Sequence, residues 1–131
     1  MIVVDASVLD PALADDSDEG DHFRRRLCGQ RLAAPELIDL EVRSVLRSGV
    51  RRGLLDERRA RLAWSDLVDA PLHRAPHRPL LPRTWELRDN LTTYVAAYVA
   101  LAEILGTTLL TTDGKLTNVP GIRCEVELIQ P

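Results

Sequence analysis

The chain is poor in several residue types, and each shortage removes a class of function. It has two cysteines, Cys28 and Cys124, far apart in sequence. That spacing excludes a disulfide framework and a cysteine metal site, and it fits free thiols in a reducing compartment, the cytoplasm. Histidine is equally scarce: His22, His73 and His77 are the only three. His73 and His77 are four apart, but Pro76 stands between them and rules out a helical zinc pair, so these histidines are expected at the surface or in loops. Aromatic residues make up 4% of the chain, leaving little material for stacking on bases. No apolar run approaches the ~18 residues of a membrane span. The longest, Val95–Ala102, ends at Glu103. The start, Met-Ile-Val-Val-Asp, lacks the basic segment of a signal peptide. A glycine-rich phosphate loop and a Gly-x-Ser-x-Gly nucleophile elbow are both missing.

What remains is an ordinary globular composition, with 45% hydrophobic and 28% charged residues in 131 residues. That length suits one domain, residues 1–131, with a core of its own. The net charge of −3 argues against a strongly basic nucleic-acid binder when read as a single number. The charge is segregated, however. Seven acids and no base fall in residues 1–21, fifteen arginines and eight acids in residues 24–88, and five acids and two bases in the remainder. Sixteen arginines stand against one lysine, Lys115, which reflects base composition of the genome rather than function.

The short β-branched run Ile2–Val4 reads as a buried strand, and Leu32–Ala34, Leu72–Arg74, Leu109–Thr111 and Val126–Ile129 read as further short strands. Helical segments separate them. Ser7 with Asp10 has the spacing of a capping box, Ser17–Leu27 ends before Gly29, and Pro35 suits the first position of a helix reaching about Arg52. Asp56 caps another helix to about Asp69, a proline-rich loop over Ala75–Arg83 leads into a helix around Trp85–Asp89, and Thr92 or Thr93 caps Tyr94–Leu105 before Gly106. Strands that alternate with helices, and that are mostly short apolar runs rather than alternating ones, indicate a parallel sheet covered on both faces. The expected fold is a three-layer α/β/α sandwich with a short central parallel sheet, whose ligands gather at the carboxyl ends of the strands.

Three acids stand out against that frame. Asp5 follows the first strand and Asp113 the fourth, which places both at the carboxyl edge, although a helix-capping or turn role is equally ordinary for such residues. At 100° per residue, Leu37, Ile38 and Val45 lie within about 60° of Glu41, so Glu41 is expected within an apolar stripe. A carboxylate buried there needs a partner, either an arginine or a metal ion. Gathered together, Asp5, Glu41 and Asp113 would repel one another unless a cation lay between them. Oxygen-only ligands select a hard cation, Mg²⁺ or Mn²⁺, whose usual work is phosphoryl chemistry. Ser7 and Thr112 offer hydroxyls beside the strand-end acids and suit a supporting role. An aspartyl-phosphate hydrolase wants a second aspartate where Ser7 stands, and a receiver domain would have to use Lys115.

At these residues the chain resembles the PIN-domain family, and within it the VapC-type toxins of bacterial type II toxin–antitoxin pairs. The resemblance rests on Ile2-Val3-Val4-Asp5-Ala6-Ser7, on Ala34-Pro35-Glu36-Leu37 running into Glu41, on Arg88-Asp89-Asn90-Leu91-Thr92, on Tyr98-Val99-Ala100-Leu101-Ala102-Glu103, and on Leu110-Thr111-Thr112-Asp113. It implies a Mg²⁺-dependent endoribonuclease acting on RNA, a homodimer, and a cognate VapB-like antitoxin. It also places Asp5, Glu41 and Asp113 on three of the family's catalytic, metal-binding acids. The fourth family acid, in a Tyr-Asp-Ala context early in a helix, meets Tyr94-Val95-Ala96 here. Val95 cannot bind metal, so one ligand that the resemblance implies is absent, and the site is expected to be impaired, by an inactivating substitution (Asp to Val takes one base change) or by a natural loss. Asp89 is a poor stand-in, because it ends the preceding helix. Glu103 lies about 12 Å along the helix from position 95, which suits a salt-bridged helix-end acid.

The arginines Arg24, Arg25, Arg26, Arg51 and Arg52 lie on or beside amphipathic helices. A solvated helix face is their ordinary role; a rim that grips RNA phosphates is the functional one. The rival to the nuclease is a catalytically dead PIN-like module that binds RNA or an antitoxin without cleavage. Val95 favours the rival, and the retained Asp5, Glu41 and Asp113 oppose it.

Overall fold

The fully apolar run Ile2–Val4 forms strand β1, completely buried at Val3 and Val4, at the centre of the sheet. In the computed structural model, which describes residues 1–130, five parallel strands are β1, β2 (Leu32–Pro35), β3 (Leu72–Ala75), β4 (Leu109–Thr111) and β5 (Val126–Leu128), in the order β3-β2-β1-β4-β5. Val3 is in register with Ala33 on one side and Leu109 on the other. Six α-helices flank the sheet: α1 (Ala6–Ala14), α2 (Asp18–Leu27), α3 (Ile38–Arg51), α4 (Glu57–Asp69), α5 (Leu81–Glu86) and α6 (Thr93–Leu105).

Crossovers from β1 to β2 to β3 carry α1 to α4 on one face, and the reversal towards β4 puts α5 and α6 on the other. The chain is thus an α/β/α sandwich, and β1 and β4 meet where the strand order reverses, the point at which open parallel sheets bind ligands. The core runs through both layers. Ile38, Val42 and Leu46 of α3 are buried on one side, and the stretch Ala96–Ala102 of α6 on the other. Gly106, at φ +62°, ends α6 in the left-handed conformation that glycine adopts without strain. Gly20 marks a close approach between α1 and α2, since a Cβ there would lie 1.7 Å from the Asp15 carbonyl oxygen.

Several local expectations shift. Ser7 does not open α1; the Asp5 carboxylate caps it by accepting from the Ser7 N–H. Pro35 closes β2 instead of starting a helix, because its missing N–H does no harm at a strand end, and α3 starts at Ile38. The proline-rich segment is more ordered than a loop: Arg78–Leu80 forms a 3-10 turn and α5 follows at Leu81, earlier than Trp85. Pro79 and Pro82 sit in first-turn positions, where proline stabilises a helix start. His77 is not a free loop residue. Its Nε2 accepts the Leu37 N–H at 3.0 Å, tying that segment to the start of α3.

Candidate active site

Asp5 leaves the carboxyl end of β1 half-buried, with both carboxylate oxygens engaged. Oδ1 accepts the Ser7 N–H at 3.1 Å and the Ser7 hydroxyl at 2.5 Å, and Oδ2 accepts the Thr111 hydroxyl at 2.6 Å. Burial pushes its pKa up, and the hydrogen bonds from Ser7 and Thr111 oppose that rise. The two strand ends are stitched together through the same hydroxyls. The Thr111 Oγ1 accepts the Asp113 N–H at 3.1 Å, and the Ser7 Oγ accepts the Thr112 N–H at 3.1 Å. Asp113, exposed, caps the short 3-10 turn Gly114–Asn118 by accepting from the Lys115 N–H.

Glu41 enters from α3 and Tyr98 from α6, on opposite faces of the sheet. The Tyr98 hydroxyl donates to Glu41 Oε1 at 2.5 Å. Burial, and then the Glu41 carboxylate, push the phenol well above its ordinary value, so it stays a neutral donor. Glu41 does not sit among the most buried residues of α3. The buried stripe is Ile38, Val42 and Leu46, about 100° round the helix from Glu41, while Val45 is 44% exposed. The expected apolar surround of Glu41 is corrected accordingly: Leu37 and Ile38 are buried and Val45 faces solvent.

Asp5, Ser7, Glu41, Val95, Tyr98, Asp113 and Leu116 line a single cleft of about 230 Å³ at the carboxyl edge. Thr92 caps α6 by accepting the Val95 N–H at 3.4 Å, which sets Val95 in the first turn facing this cleft. Among the described residues, none of the three carboxylates forms an ion pair. Neither do any three His, Cys, Asp or Glu side chains converge closely enough to hold one ion between them.

Other sequence-singled residues fall elsewhere. The Thr112 contribution is its backbone N–H; the hydroxyl that touches Asp5 belongs to Thr111, which is fully buried. Asp89 is exposed and does not line the cleft. Glu103 pairs with Arg83 through bonds of 2.6 and 3.2 Å and accepts the Arg123 N–H at 2.7 Å, as befits a helix-end acid. Burial alone would raise its pKa, and the Arg83 and Arg123 contacts hold it below the ordinary value. None of Arg24, Arg25, Arg26, Arg51 and Arg52 lines the cleft. Arg24 is spent on the Ala12 and Asp15 carbonyls and on Asp21, and Arg26 on Glu127. Arg25, Arg51 and Arg52 are exposed.

Residues 2–122 match the PIN domain family. The chain belongs to that family. It is 40% identical over 129 residues to ribonuclease VapC1 of Mycobacterium tuberculosis, covering 98% of this chain and 97% of the relative. It is 39% identical over 132 residues to ribonuclease VapC9 of the same species, covering 98% of each. Its fold also resembles the crystal structure of VapBC2 from Rickettsia felis bound to a DNA fragment from their promoter, at a TM-score of 0.70 and 13% identity, covering 98% of each chain.

Two residues support this PIN-domain cleft without being acids: Tyr98, in its lining, and Thr111, buried behind Asp5. A signal was there for both. A tyrosine within an otherwise apolar helix must find a partner for its hydroxyl when buried, and a threonine at the last position of a buried strand must do the same.

Proposed function

We propose that this chain is the toxin of a toxin–antitoxin pair, a metal-dependent endoribonuclease whose cleavage is impaired by Val95. The observation that carries this reading is the cleft itself: three carboxylates without a cationic partner, at the strand-order reversal of a PIN-domain sheet. The kinship with proteins named ribonuclease VapC at about 40% identity supports the same conclusion.

The donor set fits a hard divalent cation, Mg²⁺ or Mn²⁺, because it is all oxygen and has no histidine or cysteine. The lack of a three-carboxylate cluster is compatible with Mg²⁺, which keeps several waters and is usually held by one or two carboxylates. Asp5 would be the fixed ligand, with Asp113 and Glu41 as the flanking ones. When bound, such an ion supplies charge neutralisation for a phosphodiester and a lowered pKa for an attacking water. Ser7 and Thr111 hold the Asp5 carboxylate in one orientation, and Thr111 also positions the Asp113 backbone. Tyr98 keeps Glu41 turned inward. Position 95 offers a methyl-bearing side chain where an acid would complete the ring of oxygens.

A VapB-like antitoxin is the proposed protein partner, and self-association into a homodimer is proposed on the face where the exposed Leu81 and Tyr94 line one apolar pocket. The chain is proposed to work in the cytoplasm; no helix among the described residues is long and apolar enough to cross a membrane.

Val95 also favours the second reading, a module that binds RNA or an antitoxin without cutting. One experiment separates the two. RNA cleavage is measured for this chain and for Val95→Asp, with Mg²⁺ and with a chelator. The impaired-nuclease reading expects Mg²⁺-dependent cleavage to rise by two orders of magnitude or more on substitution, on the order of the loss seen when one catalytic group is removed. No cleavage by either protein would leave the binding module standing.

A further inference from the structure

The cleft explains chemistry on a phosphodiester but holds no cationic side chain to grip the strand on either side of it. The grip must come from elsewhere, and Arg24 and Arg26 are already engaged within the protein. A second groove, of about 360 Å³, runs between α3 and α4 and has the complementary character. Leu46, Val50 and Ala60 form its floor, and Arg43, Arg47, Arg61, Glu57 and Trp64 its walls.

Three features point to a nucleotide ligand. Arg43 and Arg47 are exposed, and among the described residues neither has a salt bridge or a side-chain hydrogen bond. They lie one helical turn apart on α3, about 6 Å along its axis, a spacing that suits successive phosphates of an extended strand. Arg61 faces them from α4, its one partner Glu57 so exposed that the pair contributes little. Trp64 stands three residues beyond Arg61, on the same side of α4. Trp64 is 38% exposed, with no aromatic neighbour or cation over its ring among the described residues. Arginine forks beside a free indole are the elements that hold single-stranded nucleic acid, with phosphates on the guanidiniums and a base on the ring. An acidic peptide would use the arginines and leave the indole idle.

We propose that the α3–α4 groove is a binding site for single-stranded RNA outside the cleft, with Arg43, Arg47 and Arg61 on phosphates and Trp64 stacked on a base. The choice of RNA rests on the ribonuclease reading. The site would hold the strand while another part of it occupies the cleft, and α3 carries both Glu41 and the arginine ridge.

The chain has two tryptophans, so Trp85→Phe leaves Trp64 as the only indole reporter. In a chelator, which suppresses cleavage, an oligouridylate is titrated into this protein while its fluorescence is followed. The site predicts saturable quenching of Trp64. Adding Arg43→Ala with Arg47→Ala should weaken binding at least about tenfold and flatten the plot of log affinity against log salt by about 1.4, for two phosphate contacts on a single strand. Trp64→Phe should retain part of the affinity measured by anisotropy, and Trp64→Ala less. Arg31→Ala, on an exposed residue before β2, should change neither quantity. Absent quenching, equal losses for Arg31→Ala and the double variant, or quenching by polyglutamate instead of RNA would overturn the site. Cleavage by Val95→Asp is scored separately. Cleavage without Trp64 quenching removes this groove and leaves the nuclease reading intact; quenching without cleavage does the reverse.

Discussion

The Tyr98 hydroxyl reaches from α6 over the carboxyl edge of the sheet to Glu41 on α3, so one hydrogen bond joins the two helical layers across the cleft. It is the only side-chain hydrogen bond that Glu41 makes among the described residues. Tyr98→Phe should therefore free Glu41 to turn towards solvent. The expected loss of stability is about 1 kcal/mol, the usual net value of one such bond, by denaturant titration. In the Val95→Asp background, cleavage should fall as well. The phenol is raised far above neutrality by burial and by Glu41, so the pH–rate profile should keep its shape. A lost alkaline limb would show that Tyr98 itself exchanges a proton.

Thr111 makes a parallel test at the strand ends. Thr111→Val keeps the shape of the side chain but leaves Asp5 Oδ2 and the Asp113 N–H without their partner. The cost should be about 1–3 kcal/mol, and Thr111→Ser should recover most of it. The loss should also depend on pH. Burial already raises the Asp5 pKa, and the Thr111 bond is one of the contacts that lower it. A carboxylate whose folded pKa lies above its unfolded value loses stability as pH rises between the two, so the variant should suffer more at pH 7 than at pH 4. An equal loss at both values would detach Thr111 from the ionisation of Asp5.

Asp10 gives the plainest pH prediction. Burial first, and the neighbouring Asp15 second, push its pKa up to about 6, and its Oδ1 is buried without a hydrogen-bond partner. The folded protein thus holds the Asp10 proton more tightly than the unfolded chain does. Stability should decline as pH rises from about 4 to about 6 and stay lower above that range. Asp10→Asn should abolish this decline and stabilise the protein at pH 7 by about 1.5 kcal/mol, half the full linkage value because the side chain is partly solvated. The measurement is the denaturation midpoint across pH; parallel curves for the two proteins would refute the assignment.

Metal binding can be read without cleavage. Mg²⁺ or Mn²⁺ should raise the melting temperature of Val95→Asp more than that of the present chain, since ligand linkage grows with affinity by about 1.4 kcal/mol for each tenfold. In a chelator the order should reverse, because a fourth carboxylate then crowds an already acidic cleft. Identical shifts in both proteins would place the ion away from position 95.

The strand ends were legible because β1 and β4 are short runs with an acid one and two residues past their ends, and a parallel sheet gathers those acids at one edge. Glu41 was legible as an unusual acid but misplaced around its helix. The wheel weighs only α3 itself, whereas α3 also packs on α4, which turns Val42 and Leu46 inward and leaves Val45 in water. For Thr111 and Tyr98 the local pattern shows a hydroxyl in need of a partner but not which one, since the partners lie 106 and 57 residues away in the chain. The arginines divide for a similar reason: of the three adjacent guanidiniums at Arg24–Arg26, two are drawn to acids and carbonyls brought near by folding.

The order β3-β2-β1-β4-β5 has a consequence for a chain still being made. Asp5 and Glu41 lie in the first third of the sequence, but Tyr98, Thr111 and Asp113 emerge from the ribosome only near the end, on strands and helices that join the opposite side of β1. A chain interrupted before α6 therefore has two of the acids and none of the opposite wall. The cleft is therefore incomplete through most of the chain's own synthesis.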